Sequence, residues 1–146
     1  MTRDRYLGGV VRAAGITPYY ADKQGDFVLI EGDCRDVLPQ LFTARLSPNL
    51  IFADPPYHLS NDGVTCHSGH MISVNKGRWD RSAGVHEDHQ FVLSWLTPCL
   101  SALAQGGSLW ISGTHHVIFS VGYGLQERGA KILNVIVWEK TPRLPI

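Results

Sequence analysis

The sequence has no surplus of either charge: 13 Lys and Arg stand against 13 Asp and Glu in 146 residues, for a formal net charge of zero. A chain so balanced has no global field to draw in a polyanion, so any such contact must come from a local basic cluster. Cysteine is scarce as well. Cys34, Cys66 and Cys99 show no paired spacing, which argues against a disulfide framework and points to a reducing, cytoplasmic setting. No apolar run approaches the ~20 residues that span a bilayer. The opening Met1-Thr2-Arg3-Asp4-Arg5 is followed by no apolar signal segment. The expectation is a soluble chain without a membrane partner. Internal repeats and low-complexity tracts are missing too. What is present is a composition 44% hydrophobic and 18% charged, suited to one packed domain.

Hydrophobic periodicity divides the chain. Residues 1–25 are mixed and suggest no long element. Phe27-Val28-Leu29-Ile30 reads as a buried strand ended by Gly32-Asp33, and Val37, Leu38, Leu41 and Phe42 follow at helical spacing. Leu50-Ile51-Phe52-Ala53 is a second buried strand, stopped by Pro55-Pro56, which cannot continue a ladder. Residues 58–85 are polar and rich in Gly, Ser and Asn, without periodicity: a long functional loop. From 86 to 140 the pattern is helix–strand–helix–strand. Phe91 to Leu103 form an apolar helical face that Pro98 interrupts; Ser108 to Ser112 is a strand. Val117 to Leu125 form a helical stripe ended by Gly129, and Ile132 to Trp138 read as a fourth strand. This alternation implies mostly parallel strands with flanking helices, an α/β, Rossmann-like sheet. Ligands of such sheets lie beyond the carboxyl ends of the strands, where Asp33, Asp54 and Ser112-Gly113 fall.

Asp54-Pro55-Pro56-Tyr57 sits at that edge. It suits one chemical problem, methylation of the exocyclic amino group of a base, whose nitrogen lone pair is delocalised into the ring. A carboxylate and a backbone carbonyl that accept from the two N–H bonds localise the lone pair and aim it at a methyl donor. Pro55 supplies a carbonyl on a rigid frame, and Tyr57 an aromatic face for a base drawn out of its stack. The plainer alternative is a Pro-Pro turn with Asp54 as its cap.

Asp54-Pro55-Pro56-Tyr57, running into Leu59-Ser60-Asn61-Asp62-Gly63, Ser73-Val74-Asn75-Lys76-Gly77 and Trp79-Asp80, resembles the permuted β-class DNA adenine-N6 methyltransferases, with nearest likeness to the second methylases of GATC-type restriction-modification systems. The likeness extends from Pro18-Tyr19-Tyr20 through Gly107 to Gly113 and on to Ile136-Val137-Trp138-Glu139-Lys140. It implies a site-specific DNA methyltransferase that uses S-adenosylmethionine. Asp54, Pro55, Pro56 and Tyr57 are then catalytic. Asp33, Cys34 and Asp54 lie toward the cofactor, with helix capping as the alternative for Asp33. Asn61, Lys76, Arg78 and Trp79 lie toward DNA, with a solvated polar loop as the alternative. Trp138 belongs near the base pocket or in the core.

The chain departs from the β-class pattern in its second half. No Phe-x-Gly-x-Gly cofactor loop or target-recognition region follows, and Gly122-Tyr123-Gly124 falls inside a helical pattern. The expectation is an incomplete sheet, from a truncated, frame-disrupted or split enzyme whose partners are DNA and either a C-terminal half or a second copy. A cytosine-N4 methylase, an RNA amino-methylase and a non-catalytic remnant that only binds nucleic acid or a partner are the alternatives. Cys66, His67, His70, His86 and His89 lack the paired spacing of a zinc site, so no metal is expected.

Overall fold

The computed structural model describes residues 7–60, 64–67, 70–73 and 75–139. They divide into two compact units, Met1–Ala53 with Ser94–Trp110, and Asp54–Leu93 with Ile111–Ile146.

The first unit begins with α1 (Leu7–Ala13), then β1 (Tyr20–Ala21) and β2 (Val28–Leu29). The run around Val28 was expected as a buried parallel strand, and the structure corrects this. β2 pairs antiparallel with β1, Tyr20 opposite Leu29 and Ala21 opposite Val28, and Phe27 and Leu29 are exposed. The cause is a tight local turn. Asp22 accepts from the Phe27 amide through its side chain at 2.9 Å, and Gly25, at φ 76°, returns its own N–H to the Asp22 carbonyl. Such a hairpin closes over few residues and captures the apolar run before a distant strand can.

Asp33 then caps α2 (Cys34–Thr43), its carboxylate accepting from the Arg35 amide. After β3 (Leu50–Ala53) the chain leaves this unit and returns within α3 (Val85–Ala102), which runs unbroken through Pro98. Leu96, Cys99 and Ala102, three residues apart, and Trp95 beside them bury one face of α3, and Val11 of α1 is buried in the same unit. An apolar cavity of about 250 Å³ remains among Leu7, Val11, Val28, Ile30, Leu38 and Leu41. β6 (Ser108–Ile111) pairs with β3. Gly107 makes the approach feasible, because a Cβ there would lie 2.9 Å from the Ala104 carbonyl and 3.0 Å from that of Asn49.

In the second unit, residues 58–85 were expected to lack structure. They contain an antiparallel hairpin, β4 (Val64–His67) and β5 (His70–Ser73), with Thr65 opposite Ile72, and a 3₁₀ turn at Arg78–Asp80. The sequence signal was Ser68-Gly69 between two short runs containing β-branched residues. The start of α3 is capped by Asp88, which accepts from the Ala83 amide at 3.0 Å and from the Ser82 hydroxyl. α4 (Ile118–Glu127) follows the helical stripe read from the sequence, includes Gly122-Tyr123-Gly124, and ends before Gly129 at φ 73°. Its Ser120 hydroxyl meets Nδ1 of His89, on α3, at 2.8 Å.

The expected fourth strand is a second correction. Residues 131–139 form no strand; Val137 is 84% and Trp138 86% exposed, so Trp138 is not a core residue here. The described strands make three two-stranded sheets, not one continuous sheet. The α/β class holds, with a small parallel sheet and flanking helices. Among the described residues no helix is long and apolar enough to cross a membrane.

Candidate active site

Asp54 follows directly on β3 and Ser112 directly on β6, the two paired strands. Their side chains meet: the Ser112 hydroxyl donates to Oδ1 of Asp54, and the Tyr57 hydroxyl reaches the same oxygen while lying 3.0 Å from Oγ of Ser112. Pro55 and Pro56, both half-buried, form the rigid link between Asp54 and Tyr57. Asp54 itself is exposed. The hydrogen bonds from Ser112 and Tyr57, with the Lys76 charge nearby, hold its carboxyl below the usual carboxylate range. Burial, and then the Asp54 carboxylate beside it, push the Tyr57 phenol above its usual value. The site therefore presents an ionised acceptor beside a protonated phenol at neutral pH.

Lys76 places Nζ 5.9 Å from the centroid of the Tyr57 ring, a cation–π arrangement. The sequence places Lys76 toward DNA; here its ammonium lies over the Tyr57 ring. Arg78 and Trp79 are exposed on the 3₁₀ turn. The lack of a side chain at Gly77 lets the Trp79 indole lie close, since a Cβ there would come within 3.0 Å of its nitrogen. Asn61 lies outside the described residues.

The segment after the motif is fixed by a residue to which no role was given. Asp80 is 1% exposed. Its Oδ1 accepts from the amides of Tyr57 (3.0 Å) and His58 (2.9 Å), and its Oδ2 from the Leu59 amide (3.1 Å) and the Ser60 hydroxyl (2.9 Å). Ser60, also buried, accepts from the Lys76 amide at 2.8 Å. The only hints in the sequence were the position of Ser112 at a strand end and the Trp79-Asp80 pair within the resembling segment.

Asp33 and Cys34 belong to the first unit. Asp33 does what its alternative reading said, capping α2, and also takes a two-pronged contact from the Arg35 guanidinium. Hydrogen bonds from the Arg35 side chain and amide bring its carboxyl down to about 2. Burial, more than the Asp33 charge, raises the Cys34 thiol above its usual value. Burial likewise lifts Cys99 to about 11, so neither thiol is poised as a nucleophile.

A carboxylate, a prolyl carbonyl and an aromatic hydroxyl beyond the end of a strand, on a mixed α/β scaffold, make a site fitted to orient an amino group. The chain belongs to the DNA methylase family, whose N6_N4_Mtase model matches residues 49–145. It is 42% identical over 125 residues to Type II methyltransferase M2.MboI of Moraxella bovis, a match covering 86% of this chain and 45% of the relative. It is 39% identical over 138 residues to Type II methyltransferase M2.DpnII of Streptococcus pneumoniae, covering 94% and 49%. To M2.LlaDCHI of Lactococcus lactis subsp. cremoris it is 38% identical over 138 residues, again 94% and 49%. The chain thus spans about half the length of the curated relatives it matches.

Proposed function

We propose that this chain is the catalytic portion of a site-specific DNA methyltransferase acting on the exocyclic amino group of adenine, N6, with S-adenosylmethionine as donor. One observation carries the reading. In a chain of the DNA methylase family, Asp54 is an exposed, ionised carboxylate directly after β3 and next to the Pro55 carbonyl.

When bound, S-adenosylmethionine supplies a methyl group activated on a sulfonium centre. Asp54 and the Pro55 carbonyl each accept one N–H of the flipped base, concentrating the lone pair on nitrogen and fixing its direction. Tyr57 and Ser112 both occupy Oδ1, so Oδ2 is the oxygen assigned to the amino group. The proton that nitrogen sheds on methylation leaves through Asp54, whose exposure gives it a route to solvent. Tyr57 offers its ring to the base. Asp33 and Cys34 contribute to the cofactor side: the ionised Asp33 carboxylate can accept from a hydroxyl or amino group in exchange for part of its Arg35 contact. Lys76, Arg78 and Trp79 serve the DNA side, together with Asn61. No covalent intermediate forms, and no cysteine acts as a nucleophile.

The Rossmann-like sheet is completed by a second polypeptide portion or a second copy. Supporting this, Leu50 and Phe52 of β3 are exposed, as is the apolar stretch up to Trp138.

The test is calorimetric titration of S-adenosylmethionine into the chain, followed by transfer of labelled methyl groups to duplex DNA. Asp54→Ala is expected to lower transfer by roughly 10²–10³-fold or more, the scale of losing a key electrostatic contact to the reacting group. Undiminished transfer by that variant refutes the assignment.

A further inference from the structure

We propose that Asp80 is a positioning residue for the methyl-transfer site, an internal anion that sets Tyr57 and through it Asp54. The inference rests on the functional reading above and extends it to a residue that touches neither base nor cofactor.

Three consecutive backbone amides, from Tyr57 to Leu59, converge on one carboxylate, and the Ser60 hydroxyl completes the set at 2.9–3.1 Å. Successive amides converge in this way only where the backbone turns out of its ordinary track, forming a concavity that binds an anion. The turn is visible at His58, a non-glycine residue at φ 54°. That conformation is strained in an L-residue. Hydrogen bonds to a charged acceptor are stronger than those between neutral groups, and four of them hold it. The His58 ring also meets the Arg81 carbonyl and the Phe91 ring, but the backbone amides around it have the carboxylate as their acceptor; without it His58 is expected to relax toward negative φ. Tyr57 is the preceding residue, and its amide is one of the donors, so relaxation swings the phenol that meets Asp54 and Ser112.

The anchor is itself fixed. Asp80 sits in the 3₁₀ turn, its carbonyl accepts from the Ser60 amide at 3.1 Å, and Ser60 Oγ receives the Lys76 amide. The same knot therefore also places the backbone of the lysine that lies over the Tyr57 ring. Burial of the Asp80 carboxyl works against its charge, but the hydrogen bonds from Ser60 and the three amides outweigh it and keep the group ionised.

The experiment follows the Asp54 carboxyl and Tyr57 phenol by carbon-13 NMR titration in the chain itself, with thermal melting alongside. In the wild type Asp54 titrates below, and Tyr57 above, the usual range. Asp80→Asn retains the shape but cannot accept from all four donors. Both midpoints are expected to move back toward ordinary values. Ser60→Ala, which removes one donor and leaves the carboxylate, should move them the same way by less. Asp88→Asn, a cap at the start of α3, is the control: it should lower Tm and leave both midpoints in place. Unchanged midpoints in a folded Asp80→Asn chain overturn the proposal. Should Asp80→Asn not fold, unchanged midpoints in Ser60→Ala overturn it equally. The functional reading is judged separately, by methyl transfer in Asp54→Ala. Normal transfer there with moved midpoints in Asp80→Asn defeats the function and keeps the positioning; the reverse pair of results does the opposite.

Discussion

Two stretches of the second unit invert what their compositions suggest. Residues 57–60 carry Tyr, His, Leu and Ser, no pattern of a regular element, yet the structure binds the amides of the first three and the Ser60 hydroxyl to the buried Asp80 carboxylate. Ile132 to Trp138 is rich in Val and Ile, the composition of a central strand, yet it forms no strand and is largely exposed. The difference is the partner. Backbone polar groups order a segment when an acceptor meets them, whatever the side chains; an apolar run becomes a strand only when a neighbouring strand and a covering layer exist. Residues 57–60 find their acceptor about twenty residues along the same chain, whereas Ile132 to Trp138 find no ladder among the described residues.

Asp54→Ala should produce the largest change in this region, since it removes the acceptor on which the proposed chemistry depends, while its exposure means that folding should hardly respond. The next largest effect belongs to the core. Leu96 is fully buried on α3, and Leu96→Ala should destabilise the chain by about 2–5 kcal/mol, through lost transfer energy and the cavity left behind. A chemical denaturation series measures it. A cost below about 1 kcal/mol would mean that the apolar cavity near α1 and α2 lets the first unit collapse around the gap.

A smaller effect should appear on acidification. Asp33, Asp54 and Asp80 all have folded-state pKa values below their ordinary ones. For a depressed carboxyl the stabilisation is complete above the unfolded value, near ~4, and is lost as pH falls through the folded value. Stability should therefore be flat toward neutral pH and decline below about pH 4. In Asp80→Asn the total is lower, but the decline is shallower, because one of the groups that must be protonated is gone. Denaturation midpoints from pH 7 to pH 2 for the two chains test this. Equal slopes would mean that folding does not lower the Asp80 pKa.

Much of the site's identity was legible in the sequence, and less of its geometry. The Asp54 motif at the end of an apolar strand, the helices around Leu96 and Val121, and the cap at Asp33 all follow from local rules: strand stops, helical spacing, N-cap chemistry. The hairpin β1–β2 was missed because a turn at Asp22–Gly25 outcompeted a distant parallel partner. The hairpin β4–β5 is harder to read, because its strands lie in a polar stretch without periodicity and only Ser68-Gly69 marks a turn. What Asp80 does is not legible beyond its place in the Trp79-Asp80 pair of the resembling segment. Its role depends on amides more than twenty positions away, and amides carry no signature of their own in a sequence.

The smallest expected effect sharpens the opening contrast most. Val137 is 84% exposed, so Val137→Asp removes no packing within this chain. Surface substitutions away from caps and buried contacts shift stability by no more than about 0.5 kcal/mol. The same change should be severe wherever a second polypeptide portion or a second copy covers this stretch, because it places an unpaired charge in a buried apolar ladder. Measuring both quantities separates the two descriptions. An unchanged melt with weakened association marks Ile132 to Trp138 as a strand awaiting its neighbour. A fall of several degrees in the melt of the isolated chain would instead show that the stretch already packs within it.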